Sequence, residues 1–85
     1  MTERELILLG FKSEDMGQWD GDDTYYYVLD IVNGLTLITP TNDEIKNDEW
    51  YVEVFNTNPY IIFHKSEEVE GLINLLKNAI VKNER

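Results

Sequence analysis

Cysteine is absent from the chain, which excludes disulfide cross-links, thiolate metal sites and a cysteine nucleophile together. Histidine occurs once, at His64, so a two-histidine metal site within one chain is excluded as well. Serine occurs at Ser13 and Ser66 alone, and neither sits in a nucleophile motif, a phosphate-cradling glycine loop or a dinucleotide fingerprint. Apolar runs such as LILL at 6–9 and YIIF at 60–63 are core-sized and far short of the ~20 residues that cross a bilayer. With no leader pattern, the expectation is a soluble, cytoplasmic protein. Positive charge is missing from a long stretch: no Lys or Arg lies between Lys12 and Lys46, where Glu14, Asp15, Asp20, Asp22, Asp23, Asp30, Asp43 and Glu44 all fall.

What the chain does have is apolar content of 42%, aromatic content of 12% and a net charge of −10 over 85 residues. That is too hydrophobic for a disordered chain and enough for one domain near the small end of what folds unaided. A domain this size has little room for a deep pocket, and the expectation is a non-enzymatic protein with no cofactor. The acidic surface repels DNA, RNA and anionic membranes, so neither nucleic acid nor membrane is expected as a direct partner. It attracts cations or a basic protein surface. Charge of this kind also serves solubility by itself.

Thr2 suits a helix cap, with Glu3 and Glu5 at the positive end of the dipole and Gly10 as a stop, so a helix is expected over 2–9. A short strand is expected over 11–14 and a loop over 16–23. Residues 24–32 alternate with a period of two and read as a strand, followed by Asn33-Gly34 and LTLIT. A two-residue type I′ turn would set Asp30 opposite Leu37. A three-residue loop with a left-handed Gly34 instead pairs Ile31 with Leu35, Leu29 with Leu37 and Tyr27 with Thr39, and is preferred. Pro40 ends that strand. EWYVEVF at 49–55 and the run 60–65 form a second hairpin, with Val52 opposite Phe63 and Val54 opposite Ile61. Ser66 is the expected cap of a helix over 67–82, whose apolar stripe is Val69, Leu72, Ile73, Leu76 and Ile80. The predicted fold is α+β: an antiparallel sheet of four to five strands in a meander, a C-terminal helix on one face and a short N-terminal helix.

One helix covers one face, and the other face of an antiparallel sheet is normally polar. This one is not: Tyr26, Val28, Val32, Ile38, Tyr51, Phe55, Tyr60 and Ile62 point outward, broken by Asp30, Glu53 and His64. Either the N-terminal helix and the 11–23 segment fold over that face, or the sheet wraps enough to bury it, or it is a surface for a protein partner or a second copy. The candidate docking residues are Tyr26, Val28, Tyr51, Phe55, Tyr60 and Ile62, with Asp20, Asp22 and Asp23 as an acidic flank.

Two constellations invite chemistry. DGDD at 20–23 suggests calcium, but a calcium loop counted from Asp20 needs glycine sixth and glutamate twelfth, where Tyr25 and Ile31 stand. A solvated acidic turn is the reading. His64 near Glu53 would make an acid–base pair, but a strand-end histidine with an ordinary hydrogen bond is the preferred reading. Taken together, LLGF, YYYVLDIVNGL, EWYVEVF and the terminal LINLL helix resemble small acidic α+β proteins of bacterial genomes and their phages or mobile elements, a group without an assigned activity. That resemblance implies a modulator that binds a host or viral macromolecule. The leading expectation is therefore a protein-interaction module. Its alternatives are a nucleic-acid-mimicking inhibitor of a DNA- or RNA-binding protein and a small-molecule or ion-binding domain.

Overall fold

A computed structural model describes residues 1–15 and 24–83, with the side chains of 80–83 excluded. Along the chain run α1 (Glu3–Leu9), β1 (Lys12–Asp15), β2 (Tyr25–Val32), β3 (Leu35–Ile38), a 3-10 turn (Asn42–Glu44), β4 (Val52–Val54), β5 (Ile62–Phe63) and α2 (Ser66–Asn83). The strands form one antiparallel meander in the order β1-β2-β3-β4-β5. This is the α+β fold expected. The acidic loop with Asp20, Asp22 and Asp23 lies outside the described residues.

Helix α1 is fixed at both ends by its sequence. Thr2 Oγ1 accepts from the Glu5 N–H at 3.2 Å while the Glu5 carboxylate accepts from the Thr2 N–H at 2.8 Å, a reciprocal cap. The Thr2 N–H bond, with further help from the Ser66 hydroxyl, holds the Glu5 carboxyl below its ordinary value. Gly10 at φ 106° closes the helix in the left-handed region, which a side chain would disfavour. Ser66 is not the cap expected for α2. Its hydroxyl donates to Glu5 at 3.2 Å, tying the two helices together, and the preceding Lys65 N–H is taken by the Glu68 carboxylate at 3.3 Å.

Both helices lie on one face. Leu6, Val69 and Ile73 pack with Tyr27, Leu37, Trp50, Val52 and Val54 in a single core. Alternation along each strand sends these residues inward, and α1 sits beside α2 rather than over the other face. Within the core Tyr25, Tyr27 and Trp50 stack edge and face, and both tyrosine hydroxyls donate to Glu3 Oε1 at 2.7 Å. Burial first, then the Glu3 carboxylate, pushes the Tyr27 phenol well above the ordinary phenol range; the Glu3 bond is the main cause of a rise at Tyr25.

The hairpin register differs from expectation at one step. Leu29 faces Leu37 and Asp30 faces Thr36, but Val32 rather than Ile31 faces Leu35. The irregularity between Asp30 and Val32 lets Ile31 and Leu35 both pack against the core. Gly34 has φ 89°, whereas Asn33 is not among the residues with positive φ, so the turn is not type I′. Strands β4 and β5 are shorter than the runs 49–55 and 60–65. Pro40 has no N–H with which to extend the β3–β4 ladder beyond Ile38, and Trp50 pairs instead with Met1: its N–H donates to the Met1 carbonyl at 2.8 Å, and its carbonyl accepts from the Met1 nitrogen at 2.9 Å.

Candidate functional site

The strand register lays the outer face out in rows. The central row runs Lys12, Val28, Ile38, Glu53, Ile62, one residue per strand. One step along the strands, Tyr26 stands opposite Glu14, and the same register carries that row through Pro40 and Tyr51 to His64. The Tyr51 and His64 rings lie 5.6 Å apart, as that row requires. On the other side, Asp30 faces Thr36, whose carbonyl accepts from the Phe55 N–H at 2.8 Å.

Five of the six described candidates thus share one surface, Tyr26, Val28 and Ile62 by register and Tyr51 and Phe55 with Tyr26 around one cleft, while Tyr60 lies outside β5. Tyr26, Val28 and Tyr51 are half-buried by their strand neighbours, while Phe55 is 57% exposed, Tyr60 76% and Ile62 43%. Both helices pack on the core face instead, so the N-terminal helix does not fold over this one. Residues 12–15 extend the sheet as β1, while 16–23 of the segment expected to cover it lies outside the described residues. Ile61, expected inward with Val52 and Val54, is on the right side by its bond to Val54 but remains 45% exposed.

A shallow cleft of about 390 Å³ opens on this face. Tyr26, Tyr51, Phe55 and Ile38 form its apolar walls, and Glu53 and Glu44 supply carboxylates. Among the described residues no Lys or Arg lines it. Pro40, Thr41 and Glu44 were not among the candidates. The signal for Pro40 was available, because the two-residue period that places Ile38 outward places Pro40 outward too. Glu44 is brought in by the 3-10 turn, where the Thr41 hydroxyl donates to Asp43 and to Glu44 at 3.2 Å; a polar connection carries no periodicity to announce that.

Glu53 sits opposite Ile62, not His64. The imidazole instead packs against Tyr51, and no hydrogen bond joins it to Glu53. A second concavity, about 470 Å³ at the β2–β3 turn, contains Asp30, whose carboxylate already accepts from the Thr36 hydroxyl at 2.7 Å. Among the described residues no group of three His, Asp or Glu converges to hold a metal ion, and no helix is long and apolar enough to cross a membrane. Comparison with protein-family models, curated proteins and solved structures finds no match.

Proposed function

We propose that the chain is a non-enzymatic protein-interaction module that docks a protein partner, or a second copy of itself, through the outer face of the sheet. One observation carries this reading: Phe55 and Ile62 stand open on the face that also carries Tyr26 and Tyr51, while both helices pack on the core face. A soluble chain gains nothing from leaving such aromatic area in water, and aromatic side chains ringed by charge are the usual anchors of binding interfaces. The acidic excess steers a basic partner toward the face and rejects acidic competitors. A cytoplasmic modulator of this kind fits the small phage-linked and mobile-element proteins that the sequence resembles.

The test is Tyr51→Ala combined with Tyr60→Ala in the full chain, read by partner capture and by sedimentation. Capture or self-association is expected to weaken at least about tenfold, the loss typical of two anchor side chains, with the circular dichroism spectrum unchanged. Undiminished association by the folded double variant would contradict the reading.

A further inference from the structure

We propose that the cleft over β4 is an arginine-binding subsite, in which a docked partner segment places one guanidinium on the Glu53 carboxylate between the Tyr51 and Phe55 side chains. This rests on the docking reading above and adds the chemistry of the partner.

Glu53 is the reason. It occupies the middle of the outer face, with Ile38 and Ile62 across the strands and Tyr51 and Phe55 two residues away along the chain, just beyond the two ends of β4. Its side chain is half-buried, and no described residue hydrogen-bonds or pairs with it. Open to water, the carboxylate is hydrated through the cleft. An apolar partner laid over the face would strip that hydration and leave an uncompensated charge among apolar groups. Among the described residues of its row there is no nearby cation: Lys12, the basic residue of that row, stands three strands away. At strand spacing that is ~14 Å, beyond the ~8 Å over which physiological salt lets exposed charges interact. A partner that covers the face must therefore bring the cation.

Arginine fits this arrangement better than lysine. Its planar guanidinium stacks on an aromatic ring while giving paired hydrogen bonds to a carboxylate, and it sheds water more readily than an ammonium. A second copy fits poorly. A two-fold contact sets the face against itself, bringing Glu14, Asp30, Glu44 and Glu53 of both copies together, with Lys12 the one lysine within the paired strands.

The experiment titrates the isotope-labelled full chain with a short acetylated, amidated glycine–serine peptide carrying a single arginine, followed by amide chemical shifts. The same peptide with citrulline is the uncharged control. Saturable shifts centred on Tyr51, Glu53 and Phe55 are expected. Citrulline in the peptide, or Glu53→Gln in the folded chain, should weaken them about tenfold, the scale of one charge-assisted pair. Equal binding by the citrulline peptide or by Glu53→Gln overturns the subsite, as do shifts that spread over the acidic surface without saturating. If Phe55→Ala abolishes binding while Glu53→Gln leaves it intact, the face docks partners but the arginine assignment is wrong. If neither variant changes binding and the shifts lie on the helices, the docking reading falls as well.

Discussion

Leu37→Ala and Tyr60→Ala should separate by several-fold in their cost to stability, because the two residues stand on opposite sides of the same boundary. Leu37 is fully buried on β3, with Leu29 on one side and Val54 on the other. Truncation removes three buried carbons at ~0.8 kcal/mol each and leaves a cavity that two flanking strands prevent from closing, about 3–4 kcal/mol in total. Tyr60 is 76% exposed, so its loss withdraws about a quarter of a ring from contact, ~0.5 kcal/mol. At about 4–8 °C per kcal/mol for a domain of this size, the midpoints should fall by roughly 15–25 °C and about 3 °C. Urea and thermal unfolding followed by circular dichroism measure both. A loss for Tyr60→Ala that approaches that of Leu37→Ala would show the outer face packed as core, and would refute the claim that it stands open.

Three further outcomes follow from local structure. Gly71 lies exposed within α2 with nothing near the position of an added Cβ, so Gly71→Ala should raise stability by about 0.5–1 kcal/mol in urea unfolding. The Glu5 carboxyl is held below its ordinary value in the folded chain; its contribution is fully present above that ordinary value and lost as pH falls through the folded one. The acid limb of the urea midpoint should therefore flatten in Glu5→Gln. The Tyr25 and Tyr27 phenols are raised, so their contribution is full below the ordinary phenol value of about 10 and declines as pH rises beyond it. Stability should fall in that alkaline range, and Tyr27→Phe should reduce the slope.

The sequence carried the elements whose causes are local. Thr2, Glu5 and Gly10 announce α1 by capping chemistry, and the spacing of Val69, Leu72 and Ile73 announces the buried side of α2. Period-two alternation separates Leu37 from Ile38 and Val52 from Glu53, so the two faces of the sheet are legible in the sequence. Where sequence reading failed, distant partners decided. EWYVEVF has strand propensity throughout, yet only Val52–Val54 forms β4, since the backbone of Trp50 is claimed by Met1. Ser66 looked like a cap because its own neighbours suit one; its hydroxyl went to Glu5, 61 residues away. The isolation of Glu53 was equally hidden, because it depends on where Lys12 and His64 land across the sheet.

Hydroxyl-radical footprinting of the full chain, free and in the complex it forms, tests the docking face most directly. It reads Tyr51, Phe55 and Tyr60 against Leu8 and Leu75, exposed apolar residues on the two helices. The account predicts that labelling of the three aromatic residues drops several-fold on association while Leu8 and Leu75 stay labelled. Protection of Leu8 and Leu75 with the aromatic face still open would contradict it.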